Sequence, residues 1–125
     1  VGMIPFSITL KLKNPNNISA ELLSLELDLN CKTTKIGETK ASFHREIPAD
    51  DIFELNINLN LIASGIKEIL QDEFLDILTD GKVKIPVQIS GEAGVKKLGL
   101  KFNVPVNFTK EFEFILDELL AKIKL

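Results

Sequence analysis

The chain has 125 residues, of which 45% are hydrophobic and 26% charged, and its formal net charge is −3. This length suits one domain with a single core. Its aromatic residues are eight Phe, with no Tyr or Trp, so the chain lacks the basic surface and stacking side chains that nucleic-acid binding uses. No stretch approaches the roughly 20 apolar residues of a membrane span. The composition predicts one soluble globular domain and excludes nucleic acid as the expected partner.

The first two predicted strands are joined by a turn. Apolar and polar residues alternate through residues 6–12 and again through residues 23–31, as in strands with one buried face. Between them, Asn14-Pro15-Asn16-Asn17 has the composition of a turn. Cys31 ends the apolar face of the second strand, so we expect it to be buried and unreactive. As the only cysteine, it rules out an intrachain disulfide.

Two further strands are predicted before the pattern changes. In residues 36–47, Ala41, Phe43 and Ile47 have strand spacing, but Arg45 interrupts the apolar face. An inward charge is common at sheet edges, where it discourages pairing with another molecule, so this segment is predicted to be an edge strand. Residues 53–61 alternate regularly and predict a half-buried strand.

The apolar period then changes to three and four residues, which predicts an amphipathic helix. Ser64 can cap its start and Gly81 can end it. The predicted apolar stripe consists of Ile66, Ile69, Leu70, Phe74, Ile77 and Leu78.

Two strands and a second helix complete the chain. The strands are predicted at residues 83–89 and 98–108, with the turn Gly91-Glu92-Ala93-Gly94 closing a hairpin. Pro86 and Pro105 cannot donate to a ladder and are expected at an edge or a bulge. Residues 111–125 have helical spacing, and we expect this helix to pack on its own domain rather than on a partner or a membrane. Its apolar stripe is Ile115, Leu116, Leu119, Leu120 and Ile123.

Sequential strands with one buried face predict an all-β, antiparallel sandwich or barrel with one inserted α-helix. Residues 1–110 are predicted to form this β domain, and residues 111–125 a C-terminal amphipathic helical segment. The many inward Leu, Ile and Phe residues suit an ordinary core. They also leave open a second function, the binding of lipid or another apolar ligand between the sheets.

No constellation in the sequence predicts catalysis. Ser42, His44 and Glu46 would stand in a row on an edge strand, where they cannot converge as a catalytic triad must. Asp50-Asp51 lacks the ligand spacing of a metal site, and Gly91 and Gly94 precede no helix that could make a phosphate loop. We therefore predict no catalytic, cofactor-binding or metal-binding residues, no cofactor and no enzyme activity.

One short motif carries a family resemblance. The sequence Leu12-Lys13-Asn14-Pro15-Asn16, between an alternating strand and a leucine-rich one, resembles the group 2 late embryogenesis abundant (LEA type 2) family, the water stress and hypersensitive response (WHy) domain. Later features agree in order over residues 6 to about 110, but the terminal segment departs from the family pattern. These features are Ile36-Gly37-Glu38, Ile47-Pro48-Ala49-Asp50, an Asn-rich strand and a helix ending at Asp80-Gly81-Lys82.

The resemblance implies a seven-stranded, immunoglobulin- or fibronectin III-like two-sheet sandwich. It also implies a non-enzymatic, stress-associated protective or interaction domain, linked to desiccation and acting on proteins or membrane surfaces. Asn14, Pro15 and Asn16 carry over as a structural turn only. Bacterial relatives are often exported, commonly as lipoproteins, and a first residue of Val fits a removed N-terminal segment. The cell envelope or periplasm is therefore the expected location, with the cytoplasm as the alternative.

Overall fold

The computed structural model describes residues 2–79 and 81–123, except for the side chains of residues 73–79. Strands dominate this part of the chain, with one helix inserted and one at the C-terminal end. The elements in chain order are β1 (Met3–Lys13), β2 (Ala20–Cys31), β3 (Thr34–Ile47), β4 (Ile52–Ile62), α1 (Ala63–Ile77), β5 (Leu78–Thr79), β6 (Lys82–Lys97), β7 (Leu100–Ile115) and α2 (Leu116–Ile123).

The strands of the described chain form one antiparallel sheet. Their order is β1-β4-β3-β2-β6-β5, and β7 pairs with β6. The prediction of an all-β antiparallel fold with an inserted helix is confirmed. The two separate sheets of an immunoglobulin- or fibronectin III-like sandwich are not confirmed, because hydrogen bonding is continuous from β1 through to β7.

The sheet is nearly divided between β3 and β4. These strands pair only where Gly37 meets Leu61 and Glu38 meets Asn60, whereas β1 and β4 pair along their whole length. Residues 39–47 of β3 therefore have no backbone ladder to β4. The edge strand predicted over residues 36–47 is thus an edge only from residue 39 onward, because Gly37 and Glu38 pair on both sides. The narrow junction allows the β1–β4 pair to curl over the rest of the sheet.

Side chains extend the junction beyond the two backbone pairs. The Thr39 hydroxyl donates to the carbonyl oxygen of Asn58 at 2.7 Å. Farther along, the Arg45 guanidinium donates to the carbonyl oxygen of Glu54 at 2.8 Å. The residue that interrupts the apolar face of β3 thus supplies a hydrogen bond to β4 where the two strands have no backbone pairing.

The curl encloses the hydrophobic core. Phe6 of β1 lies against two rings of β7, with centroid distances of 6.0 Å to Phe112 and 5.2 Å to Phe114. The inward residues predicted for residues 55–61 and 83–89 are all buried, which confirms the alternation there. Burial of apolar surface is the main favourable term in such a core. These residues are Leu55, Ile57, Leu59, Leu61, Val83, Ile85, Val87 and Ile89.

A bulge changes the predicted face at the start of β2. Leu25, Leu27, Leu29 and Cys31 are buried as expected, but Leu22 is buried in place of Leu23. The pairing of β2 with both neighbours shifts between Leu22 and Ser24. Because one extra residue reverses the alternation, the inward position moves from residue 23 to residue 22.

The predicted turn at Gly91-Glu92-Ala93-Gly94 is wrong. These residues lie inside β6, and the hairpin turns instead at Leu98 and Gly99, both at positive φ. Gly91 faces the backbone of β2, where a Cβ atom would overlap the carbonyl oxygen of Glu26. The glycine therefore allows close approach of two strands and does not mark a reversal. Pro86 lies beyond the end of the β2 ladder and Pro105 lies on the edge strand β7, as predicted.

Helix α1 packs with its predicted stripe inward as far as the structure describes it. Ile66, Ile69 and Leu70 are buried, while Phe74, Ile77 and Leu78 lie outside the described side chains. The helix begins at Ala63, one residue before the predicted cap. It follows β4 without a loop, and the amide of Ala63 donates to the carbonyl oxygen of Gly2 at 2.9 Å. It ends at Ile77 rather than near Gly81, because β5 pairs back onto β6.

Helix α2 is shorter than predicted and docks on the domain. Strand β7 continues to Ile115, so residues 111–115 are extended and Ile115 itself is exposed. The helix spans Leu116–Ile123, contacts α1 and β7, and buries Leu119. The two helices cover one end of the curled sheet, which we call the closed end. None of the described helices is long and apolar enough to cross a membrane.

Candidate functional site

Ser42, His44 and Glu46, the triad-like residues of the sequence, are all exposed. His44 is 88% exposed, and its Nδ1 lies 3.2 Å from Oε1 of Glu21 on the neighbouring strand. No hydrogen bond in the described chain joins His44 to Ser42 or Glu46. They occupy alternate positions in a row on β3, as the edge-strand argument predicts.

The acidic pair at residues 50–51 belongs to a turn. The Asp51 carboxylate accepts a hydrogen bond from the amide of Ile52 at 2.8 Å, and the amide of Asp50 donates to the carbonyl oxygen of Asn16 at 2.9 Å. Within the described residues, no group of three His, Cys, Asp or Glu side chains could hold a metal ion. These contacts connect the loop after β3 to the loop after β1.

The Asn14 side chain connects the same two loops through hydrogen bonds. Its side-chain amide donates to the carbonyl oxygens of Ile18 at 3.2 Å and Pro48 at 3.1 Å, while its Oδ1 accepts from the amide of Asn16 at 3.1 Å. The side chain is buried with both its donor and its acceptor groups satisfied. The prediction of a structural turn at Asn14-Pro15-Asn16 therefore fits the geometry.

These loops border an open groove at the end of the molecule opposite the helices, which we call the open end. The groove has a volume of about 650 Å³ and is lined mainly by apolar side chains. One wall comes from the β1–β2 loop and the adjoining strand ends, including Ile18 of the loop and Phe53 of β4. The other wall comes from the β6–β7 hairpin, including Val95, Phe102 and Val104.

The open end exists because the hairpin is longer than the layer that covers it. Strands β6 and β7 pair continuously from Lys82 and Ile115 to Lys97 and Leu100. The inward face of β7 is half-buried at Val106 but exposed beyond it. The exposed fractions are 43% at Val104, 48% at Phe102, 62% at Leu100 and 77% at Leu98.

A second cavity lies deeper, between the two halves of the curled sheet. It has a volume of about 270 Å³, and its lining is almost entirely apolar. Well-packed interiors contain few voids larger than a water molecule. A half-open apolar space of about 270 Å³ is therefore far larger than an ordinary packing void.

The groove carries positive charge at its mouth. Lys13 at the end of β1 and Lys97 at the end of β6 both line it, and no Asp or Glu does so among the described residues. None of the ion pairs between described residues involves either lysine. Lys97 is half-buried and continues the inward face of β6, two residues after Val95.

Sequence reasoning missed this site for a definite reason. Alternation in the strand predicted at residues 98–108 places Leu100, Phe102 and Val104 on the inward face, but it cannot say whether another layer covers that face. The same alternation, counted from Leu98, places Lys97 on the outward face. Had the alternation of β6 been continued through Ala93 and Val95, it would have placed Lys97 on the inward face.

Comparisons with known proteins agree with this architecture. The sequence model described as "Late embryogenesis abundant protein" matches residues 9–110. None of the curated protein sequences matches the chain. A crystal structure of a protein from Archaeoglobus fulgidus is similar with a TM-score of 0.57 and 15% identity, covering 91% of this chain and 86% of that one.

A second similar structure comes from a plant. The solution structure of AT1g01470 from Arabidopsis thaliana has a TM-score of 0.66 and 16% identity, covering 90% of this chain and 72% of that one. At these identities the structures establish the fold alone, and the family rests on the sequence match across most of the chain. The chain belongs to the group 2 late embryogenesis abundant protein family.

Proposed function

We propose that this domain is a non-enzymatic, stress-associated protective domain that acts by contact between its open end and other proteins or membrane surfaces. Membership of a family that is stress-related and generally non-enzymatic supports the class of function. The proposed contact at the open end is supported by the uncovered apolar face of the β6–β7 hairpin at Leu100, Phe102 and Val104. Contiguous exposed apolar patches on soluble domains commonly mark interaction sites.

A drying assay tests this proposal. A labile enzyme such as lactate dehydrogenase is dried with the domain or with an equal mass of an inert globular protein, and the activity recovered on rehydration is measured. We expect more activity with the domain. Replacing Leu100 and Phe102 by Ser should remove the advantage, because it removes apolar contact area at the open end.

The matched control replaces Met3 and Ile115 by Ser, since both are exposed apolar residues near the closed end. This variant should protect as well as the unchanged domain. Equal protection by the inert protein would refute the proposal, and equal loss in both variants would refute the role of the open end.

Action at the cell envelope, through a lipid-anchored or exported form, is also part of this proposal. Its support is the family resemblance, whose bacterial members are often exported. Fractionation of cells that express the full-length protein from its own gene tests it. Recovery of the protein only in the cytoplasmic fraction would contradict this location.

A second candidate function is the binding of an apolar ligand inside the curled sheet. The cavity of about 270 Å³ favours it, since Leu25, Leu27, Ile57 and Phe108 surround space that they do not fill. Apolar cavities of this kind stay dry and accept apolar molecules. The two candidates are compatible, because one uses the outside of the open end and the other its interior.

A further inference from the structure

The groove and the cavity form one path from solvent to the interior. An extended apolar chain that lay in the groove could continue into the cavity between the β1–β4 layer and the β6–β7 hairpin. The residues that line both spaces are Leu12, Ile47, Phe53, Val95, Val104 and Pro105.

The dimensions suit a narrow ligand. The groove, at about 650 Å³, lies within the ~300–1,000 Å³ range of ordinary ligand pockets, and the cavity of about 270 Å³ lies just below it. The cavity is lined by branched and aromatic apolar side chains from opposed strands. It offers no hydrogen-bonding partners for a polar ligand, so the inner part of the occupant must be a hydrocarbon.

The positive charges at the mouth of the groove specify the other part of the ligand, its head group. Lys13 and Lys97 stand on different halves of the curled sheet and both border the groove. The chain as a whole carries a net charge of −3, so a groove lined by cations and no carboxylates departs from the average surface. Asp50 and Asp51 in the adjoining loop do not line it. An anionic group at the mouth would approach two ammonium groups as its hydrocarbon entered the interior.

We propose that the groove and cavity bind a single-chain anionic amphiphile of the fatty-acid class, with the hydrocarbon tail between the sheet halves and the carboxylate at Lys13 and Lys97. This inference rests on the second candidate function, the binding of an apolar ligand, and goes beyond it by naming the ligand class and orientation. It does not depend on the drying assay, because protection by surface contact needs no occupant in the cavity.

Calorimetric titration with a matched pair of ligands tests the proposal. Dodecanoate and dodecanol share the same hydrocarbon chain and differ in the charge of the head group, and both are used below their aggregation concentrations. We expect one dodecanoate per chain, bound about tenfold more tightly than dodecanol, since a carboxylate at the mouth would be attracted by the two lysines that line the groove.

Two pairs of substitutions locate the head group. Changing Lys13 and Lys97 together to Gln should weaken dodecanoate binding about tenfold and leave dodecanol binding unchanged. Changing Lys40 and Lys67 to Gln removes the same total charge at exposed positions that do not line the groove. This control variant should bind both ligands as the unchanged domain does.

A third variant locates the tail. Ala93 lines the cavity and not the groove, so Ala93→Leu should fill part of the cavity and weaken the binding of both ligands. A circular dichroism melt checks that the variant is folded. The lysine variants change side chains at the mouth of the groove and leave the core unchanged, so the proposal remains testable if Ala93→Leu does not fold.

Each remaining outcome is decisive. If neither ligand binds, both the second candidate function and this inference are wrong, while the protective proposal stands. If dodecanol binds as well as dodecanoate and the Lys13 and Lys97 variant changes nothing, the cavity accepts hydrocarbon but the assigned head-group site is wrong. Sedimentation of the domain with phosphatidylglycerol vesicles without binding of monomeric dodecanoate would replace this proposal with membrane docking.

Discussion

Leu98 has a backbone conformation that a leucine side chain disfavours. It occupies the first turn position of the β6–β7 hairpin in the left-handed region, with a φ of 52°, and Gly99 follows at 78°. Turns with positive φ at both central positions favour Asn or Asp followed by Gly, because other side chains clash with the backbone there. With 77% of its surface exposed, Leu98 gains little burial in return.

Replacing Leu98 by Asn should therefore stabilise the domain, by about 1 kcal/mol, because Asn tolerates the left-handed conformation. The shift of the urea midpoint at constant slope measures it. Leu100→Asn is the matched control, since Leu100 is also an exposed leucine but lies in the extended strand. A midpoint for Leu98→Asn no higher than that of the unchanged domain would contradict the conformational explanation.

At the scale of elements, alternation predicted strand faces well where the inward face is covered by the core. Residues 55–61 and 83–89 are buried as the pattern indicates. The pattern failed at the Leu22 bulge, because one extra residue reverses a period of two. It failed again at Gly91, because a glycine that permits close strand approach looks the same in sequence as one that turns the chain.

In helix α2, the spacing of apolar residues predicts the helix but not the residue at which it begins. Its apolar residues have helical spacing, but β7 pairs with β6 as far as Ile115 and delays the start of the helix. An eight-residue helix is not stable alone in water, so tertiary packing must hold it. Leu119 supplies the buried contact, with 3% of its surface exposed.

Leu119→Ala should destabilise the domain by about 2–5 kcal/mol, the usual cost of deleting a buried leucine side chain. Thermal and urea melts measure the change. Ile115→Ala is the control, because Ile115 is a large apolar residue near the helix but 53% of its surface is exposed. Equal, small effects of both substitutions would indicate that α2 does not depend on docking for its order.

At the scale of the whole molecule, the sheet has a closed end and an open end, and its candidate functions follow from that asymmetry. At the closed end, α1 and α2 cover the curl with buried residues such as Ile66 and Leu119. At the open end, β3 no longer pairs with β4, and the β6–β7 hairpin extends beyond the layer that covers it. The sequence predicted the strands and the inserted helix. The sequence could not predict this asymmetry, because the asymmetry depends on where long strands extend beyond the neighbouring strands.

The same asymmetry should appear as a gradient of local stability. Segments with few buried contacts and unpaired edges open locally at a low free-energy cost, whereas central strands exchange only through larger unfolding. We therefore expect amide hydrogen exchange, followed by mass spectrometry of peptides, to be faster in residues 39–47 and 98–106 than in residues 55–61 and 83–89. The fast segments border the open end, and the slow ones contain buried inward residues. Uniform exchange across all four segments would show that the open end is as rigid as the core, and a ligand would then have no locally mobile entrance.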